Sequence, residues 1–396
     1  MRRGTMKLGL ATAVVLMGTV AMAGGDIAPM EPMVNTDAPA KAEWKSKQKF
    51  FGVSQIGVHA GDGAKLGKDA DIGFDFDRIR VGWKYFSGPL AAKGLIDFSR
   101  KGTDNGSIGI PDMIKDAFIS YKFDDAAVIK AGIIKTPLGM GFTMPGWNLD
   151  VIKRGFDKKL AFERAAGLML SGRDIGFGNN GKVNGLEMGH ERPWKGFGYD
   201  IMITSATGRS GAVNSKDANG KVYKANQTNT YIGRLMFDWG QVLHTEVSYG
   251  VGKGQTDGSG EDYKVLNAGI DSHFDRANLK AEIYKVENIR GKTGWDMDTL
   301  AITGTYYLTD TLEFTIKDIR GTETRGGNDS NAANTYIGLS YYINPKNNKM
   351  DRQSKRSRNR HKVQFNYVLA DVDAGFKGVG ALYKDDVILA QYQFTF

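Results

Sequence analysis

The chain contains no cysteine and only five histidines among its 396 residues. The absence of cysteine excludes disulfides, thiolate chemistry and zinc sites with sulfur ligands. The histidines, His59, His190, His244, His273 and His361, include no closely spaced ligand pair, so we expect no metal site and no cofactor. Beyond the first 23 residues, no stretch approaches the roughly 18 consecutive apolar residues that a transmembrane helix requires.

Positive charge is concentrated in two short segments. The formal net charge is +9, of which residues 1–23 contribute +3 and the run 346–360 contributes +6, so the remaining chain is close to neutral. Nucleic-acid binding therefore has no support beyond that run. The run itself allows three interpretations: a solvated turn, a contact for acidic periplasmic or membrane-surface groups, or a cation-rich vestibule that concentrates anions.

The first 23 residues have the pattern of a secretory signal peptide. Arg2, Arg3 and Lys7 form a basic start, an apolar run follows over 8–22, and Ala21-Met22-Ala23 is typical of a cleavage site. We therefore expect a cleaved signal and an exported mature protein. Residues 24–46 form an acidic, proline-containing lead-in before the first patterned segment.

Short segments with alternating apolar and polar side chains fill the rest of the chain, which indicates β-strands with one apolar and one wet face. At the end of the chain, Ile388, Ala390, Tyr392, Phe394 and Phe396 share one face. Roughly sixteen such segments can be placed. They cover 49–59, 76–86, 90–99, 116–123, 127–135, 173–183, 197–204, 230–238, 242–252, 264–274, 277–286, 298–307, 312–320, 334–343, 361–371 and 387–396.

The connections between these segments alternate between short and long. Short turns include 87–89, 124–126, 239–241 and 275–276, and the long connections are 60–72, 100–114, 136–172, 205–229, 253–263, 287–297, 321–333 and 372–386. This parity is typical of an all-β, antiparallel up-and-down transmembrane barrel, and merging 183–189 with the preceding strand keeps the count even. Parity also places the basic run on the side of the short turns. Sixteen strands enclose an aqueous lumen, so the pattern predicts a pore over residues 47–396.

Several stretches carry a family resemblance by their order and spacing. They are 77–86 with 90–98, 116–121 with 129–139, 160–164 with 172–176, 341–345, 364–367 and the final strand. Together they resemble the phosphate-selective porin O and P family of Gram-negative outer membranes, over about residues 50–396. The basic run and the lead-in depart from the family pattern, and some members are not selective for phosphate.

This resemblance has implications for location and assembly. It implies a homotrimer in the outer membrane, in contact with lipid and lipopolysaccharide, whose third loop folds inward and narrows each pore. It also implies that the barrel insertion machinery reads the terminal aromatic residue, Phe396.

The second predicted strand indicates which charges face the lumen. Ile79, Val81, Trp83 and Tyr85 form one face, and Arg78, Arg80 and Lys84 form the other. A basic side chain facing the middle of the bilayer costs about 2–4 kcal/mol, so the basic face should meet water. The same alternation predicts lumen positions for Lys93, Lys122, Lys130, Arg234, Lys280 and Lys317, and for Asp97, Asp116, Glu246, Asp271, Glu282 and Glu313.

The predicted third loop, 136–172, would form a constriction with a small excess of cations. Guanidinium and ammonium groups suit oxyanions, the first by bidentate hydrogen bonding and the second as a point charge. The candidates for lining the pore and selecting anions are Arg78, Arg80, Lys84, Lys130, Lys135, Lys153, Arg154, Lys158, Lys159 and Arg164. The alternative for each residue is an ordinary ion pair or a solvated loop charge.

These observations predict a porin for passive diffusion of small hydrophilic solutes that leans to anions such as phosphate. A general or cation-permeable porin, and a structural or receptor protein of the outer membrane, are the alternatives. We expect no catalytic residues. An outer-membrane phospholipase would need a Ser and a His held together at the lipid face, whereas His244 and His273 share strand faces with Glu246 and Asp271.

Overall fold

The computed structural model describes residues 44–64, 66, 71–99, 113–176, 182–184, 191–193, 195–205, 215–216, 222–223, 229–239, 242–253, 261–343, 361–380 and 382–396. The predicted signal peptide, the lead-in as far as residue 43 and the basic run lie outside these residues. In the described part of the chain, no helix is long and apolar enough to cross a membrane.

Sixteen antiparallel strands close into one barrel. They are β1 Ser46–Ala60, β2 Ile72–Ser87, β3 Leu90–Asp97, β4 Ile114–Asp124, β5 Ala127–Ile134, β6 Ala165–Ile175, β7 Lys195–Ser205, β8 Asn229–Trp239, β9 Leu243–Lys253, β10 Asp262–Phe274, β11 Ala277–Glu287, β12 Trp295–Tyr307, β13 Leu312–Arg325, β14 Asn328–Tyr342, β15 His361–Val372 and β16 Val387–Thr395. Each strand pairs with the next, and β1 pairs with β16, so the sheet has no open edge. The predicted sixteen-stranded barrel is confirmed.

A few short elements lie in the connections. Two small hairpins pair Lys182–Asn184 with Glu191–Pro193 and Ser215–Lys216 with Val222–Tyr223. One α-helical turn, α1, spans Met140–Thr143. Single 3-10 turns span Asp62–Ala64, Gly146–Asn148, Phe156–Leu160 and Ile289–Gly291.

The outer face of the barrel is apolar. Phe74, Ile201 and Leu235 are 77%, 60% and 69% exposed, and exposed large apolar side chains project from every strand except β5. Their neighbours in sequence point inward, as shown by the buried Asp200 and Arg234. Apolar surface in contact with water is unfavourable by about 25 cal/mol per Å², so a continuous apolar exterior is expected to face lipid.

β-Bulges interrupt the alternation at positions that matter for the lumen. Gln55 of β1 pairs with Arg78, and the next residue, Ile56, pairs with Phe76, so Asp77 has no partner in the ladder. The bulge turns Asp77 and Arg78 inward together. At a second bulge, between β3 and β4, the strand register passes from Asp116 to Ile114 and skips Lys115, and the side chains of Lys115 and Asp116 are both buried.

Two predicted boundaries are wrong for identifiable reasons. The strand expected at 173–183 is β6, which begins at Ala165, so the last eight residues of the predicted loop 136–172 are strand. Alternation did not reveal it because its inward side chains, Ala165, Gly167 and Met169, are apolar or absent. The predicted long connection 321–333 is also mostly strand, since β13 and β14 meet at the tight turn Gly326-Gly327.

Candidate functional site

The connection between β5 and β6, residues 135–164, enters the barrel and packs against its inner wall; we call it the inner loop. Leu138, Phe156 and Leu160 of this loop are fully buried. They belong to one apolar cluster with wall residues that include Tyr263 and Ile319. Burying a large apolar side chain contributes about 1.5–3 kcal/mol, so several such contacts hold the loop firmly on the wall.

Polar contacts anchor the same loop along strands β11 and β15. Lys280 forms an ion pair with Asp150 at 2.6 Å, and the backbone N–H of Ile152 donates to Asn366 Oδ1 at 2.8 Å. The backbone N–H of Gly141 donates to Glu282 Oε2 at 3.0 Å. Lys280 and Glu282, both predicted to face the lumen, therefore point inward but serve as loop anchors.

The middle of the inner loop also contacts strands β16, β1 and β2. Gln55 of β1 donates to the Gly146 carbonyl at 3.2 Å, and Gln393 of β16 donates to the Trp147 carbonyl at 3.1 Å. Lys153 forms ion pairs with Asp75, at 3.5 Å, and with Asp77 on β2. The loop is thus held along the inner wall by contacts on β11, β15, β16, β1 and β2.

A cavity of about 1110 Å³ lies between the inner loop and the wall that runs from β1 to β8. Among the described residues, its lining contains thirteen cations: Arg78, Arg80, Lys84, Lys93, Lys115, Lys130, Lys135, Arg154, Lys158, Lys159, Arg164, Arg173 and Arg234. It contains six acids: Asp77, Asp97, Asp116, Asp125, Glu163 and Asp200. The formal excess of +7 sits in a passage narrowed by the loop.

Part of this charge is neutralised by ion pairs along the wall. Asp97 accepts from Arg80 at 2.9 Å, and Arg164 lies 2.8 Å from Asp116, which also pairs with Lys93. Asp200 is shared by two arginines, Arg173 at 3.0 Å and Arg234 at 2.5 Å. These pairs fix the side chains in place, and their three carboxylates offset part of the charge of the five cations.

Six lining cations form no ion pair with any described residue: Arg78, Lys130, Lys135, Arg154, Lys158 and Lys159. Arg154 instead donates from Nε to the Gly141 carbonyl at 3.0 Å and from Nη2 to the Met144 carbonyl. Lys135 donates to the same Met144 carbonyl at 3.3 Å and lies 4.7 Å from the centre of the Phe142 ring. Neutral partners leave the charge of these groups available to a passing ion.

Burial and, after it, the neighbouring cations lower the pKa of the loop lysine Lys158. Burial, followed by the charge of Arg154, lowers the pKa of Lys158 to about 7. The neighbouring carboxylate of Glu163 opposes this shift. An anion placed beside Lys158 would therefore stabilise the charged form of its ammonium group.

The structure places nine of the ten candidate residues on the cavity wall. The exception is Lys153, whose ammonium group is occupied by Asp75 and Asp77 and which lines a separate space of about 40 Å³ under the loop. Lys93 and Arg234, also expected in the lumen, line the cavity, whereas Lys122 pairs with Asp125 at a turn, 2.6 Å away. The role of these residues in selectivity stays a prediction.

Two lining cations, Lys115 and Arg173, were missed by sequence reasoning. Each lies at a register shift, where strict alternation assigns residues to the wrong face. Adjacent charges within a strand, as in Lys115-Asp116, were the available signal, because one of two adjacent charges would otherwise face lipid.

The two histidines considered for catalysis point inward. His244 has Asp238 2.9 Å from Nδ1 and Glu246 3.3 Å from Nε2, and His273 lies 2.7 Å from Asp271. No set of three or more His, Asp or Glu side chains in the described ranges is arranged to hold a metal ion.

Comparison with known proteins gives a fold and no family. No protein-family model matches the chain, and no curated protein matches it. Solved structures do. An anion-selective porin from Comamonas acidovorans superposes with a TM-score of 0.55 at 14% identity, covering 89% of this chain and 100% of that one.

Two further structures give the same result. The outer membrane channel DcaP of Acinetobacter baumannii has a TM-score of 0.56 at 14% identity and covers 90% of this chain and 99% of its own. The trimer form of OmpT, an outer membrane protein of Vibrio cholerae, has a TM-score of 0.55 at 12% identity and covers 89% and 99%. At such low identity, the likeness establishes the barrel architecture alone.

Proposed function

We propose that this chain is an outer-membrane porin through which small hydrophilic solutes diffuse passively, with a preference for anions. The observation that carries the proposal is the cavity beside the inner loop, where thirteen cations face six acids. A passive pore selects ions through the charge at its narrowest part, where low-dielectric walls make each charge count more than in bulk water.

Which of the lining charges are paired supports a preference for anions more strongly than the net charge of the lining does. Wall carboxylates are taken up by ion pairs, so a cation in transit meets few free acceptors. The unpaired cations, by contrast, include four of the inner loop, Lys135, Arg154, Lys158 and Lys159. An anion entering the cavity therefore gains attraction without having to break an ion pair.

Phosphate is the specific permeant that we propose, together with membership of the phosphate-selective porin O and P family. Arg78 and Arg154 present planar guanidinium groups, and Lys158 and Lys159 present point charges, on the wall of one cavity. That combination suits a tetrahedral oxyanion, which accepts several hydrogen bonds at once.

The proposal extends to location and assembly. The apolar exterior and the closed sheet suit a bilayer, and the superposed proteins include an outer membrane channel and a trimer. We accordingly propose export by a cleaved signal, insertion directed by Phe396, contact with lipid and lipopolysaccharide, and a homotrimer as the functional form.

The test is the reversal potential of the purified mature protein in a planar bilayer under a KCl gradient, followed by titration with phosphate. A chloride-favouring potential and phosphate block at low concentration are expected. A chloride-favouring potential without block would overturn phosphate as the permeant. A potassium-favouring or near-zero potential would overturn the anion preference and leave a general porin, and the absence of channels would favour a structural or receptor protein.

A further inference from the structure

Glu163 differs from the other acids that line the cavity. Asp97, Asp116 and Asp200 lie within 3.0 Å of an arginine nitrogen, Asp125 lies 2.6 Å from Lys122, and Asp77 pairs with Lys153. Glu163 forms no ion pair with any described residue, although it lies on the inner loop and is half-buried. One lining acid therefore keeps its full charge in the passage.

The surroundings of Glu163 keep it ionised. Burial raises the pKa of its carboxyl, but nearby cations outweigh burial and hold the pKa below the ordinary value of 4.5. In order of effect these cations are Lys158, Arg164, Lys115 and Lys159. Arg164 and Lys115 already have aspartate partners, so the cations left for Glu163 or for an arriving anion are Lys158 and Lys159.

We infer that Glu163 is a specificity-determining residue, a tethered carboxylate that stands in for the permeant anion beside Lys158 and Lys159 and shifts the selectivity of the cavity towards singly charged anions relative to doubly charged ones. This inference rests on the proposed anion pathway. Its physical basis is that repulsion by one fixed negative charge scales with the charge of the ion. The residue also shortens the stay of any anion, and conduction requires binding that is weak enough for release.

The magnitude follows from Coulomb's law. At about 7 Å and an effective dielectric constant of about 60, one negative charge weakens the affinity of a monoanion by about 4-fold and that of a dianion by about 15-fold. Removing the charge should therefore change the ratio of the two affinities by about 4-fold.

The experiment compares Glu163→Gln with the unmodified porin, using sodium sulfate and sodium perchlorate, whose anions share a tetrahedral shape and differ in charge. The concentration that half-saturates the conductance is measured for each salt. We expect Glu163→Gln to lower it by about 15-fold for sulfate and about 4-fold for perchlorate. Glu163→Asp keeps the charge and should stay within about 2-fold of the unmodified protein.

Asp125→Asn is the matched control, because it also removes one lining carboxylate, but at an exposed turn where Lys122 already neutralises it. The inference would be overturned if Glu163→Gln shifted the half-saturating concentration equally for the two anions or not at all. It would also be overturned if Asp125→Asn had as large an effect as Glu163→Gln. Glu163→Ala provides the same comparison if the Gln variant does not insert. A cation-favouring reversal potential in the unmodified protein would instead overturn the proposed function itself.

Discussion

Reversing two charges of the inner loop should remove most of the proposed anion preference. The double variant Lys158→Glu and Lys159→Glu changes side chains that form no ion pair and no hydrogen bond with described residues, so no anchor of the loop is lost. Six unpaired cations and the unpaired Glu163 give the cavity a net unpaired charge of +5. At about pH 6, where Lys158 is protonated, the double variant reduces this to +1.

The size of the effect can be worked out from this change of four charge units. A unit charge about 8 Å from an ion in water shifts its energy by about 0.5 kcal/mol, and screening at 0.1 M salt reduces this to about 0.25 kcal/mol. Four units amount to about 1 kcal/mol. Since anions are disfavoured and cations favoured by the same amount, the permeability ratio of chloride to potassium should fall by about 30-fold.

The assay is the reversal potential under a KCl gradient, measured at 0.1 M and again at 1 M salt, where screening should shrink the difference between variant and parent. Lys384→Glu, an exposed charge on the connection between β15 and β16 that does not line the cavity, is the control and should leave the ratio unchanged. An unchanged ratio in the double variant, or an equal change in the control, would refute the reasoning.

Further predictions follow from the same geometry. Because the pKa of Lys158 is lowered to about 7, its charge is present below about pH 6 and lost above about pH 8. The chloride preference should therefore fall as pH rises through this window, and fall less in Lys158→Met; a flat profile in the parent, or the same fall in both proteins, would contradict this. Phe156→Ala should cost about 3–5 kcal/mol of loop packing and give larger, noisier channels, which Phe156→Leu should largely restore, as single-channel recording would show. Gly327→Ala should cost about 1–2 kcal/mol of stability through the φ of 84° at this position alone, and should lower the thermal unfolding temperature in detergent. Gly94→Ala, where an added Cβ meets no atom, should leave that temperature unchanged. Equal unfolding temperatures for the two variants would refute the strain argument.

Alternation was sufficient to predict the barrel because lipid and water impose opposite demands on successive side chains. The same reasoning placed Arg78, Arg80 and Lys84 in the lumen, where they lie. Alternation did not predict the start of a strand where the inner surface of the barrel does not meet water. β6 begins at Ala165 with apolar or absent inward side chains, because that stretch adjoins the packed inner loop, and no contrast between faces remained to be detected.

The path of the inner loop could not be read from the sequence in any detail. Its anchors join residues far apart in the chain, such as Ile152 with Asn366 and Trp147 with Gln393. Nor could the division between paired and free charges be predicted, since it depends on cross-strand register. Lys153 shows this: it was expected in the pore with its neighbour Arg154, but its charge is taken up by Asp77, which a bulge turns inward.

Deletion of a single residue at either bulge would change the charge of the lumen. Deleting Asp77 would leave Phe76 and Ile79 on the lipid side with Arg78 between them, which restores regular alternation and removes one negative charge from the lumen. Deleting Lys115 would likewise leave Ile114 and Ala117 on the lipid side with Asp116 between them, and would remove one positive charge. Elsewhere in a strand, a one-residue deletion turns every following side chain to the opposite face. In-frame deletions at these two positions would therefore make the lumen more positive or more negative without changing which side chains face lipid. The ion preference of such a barrel could change in either direction in this way.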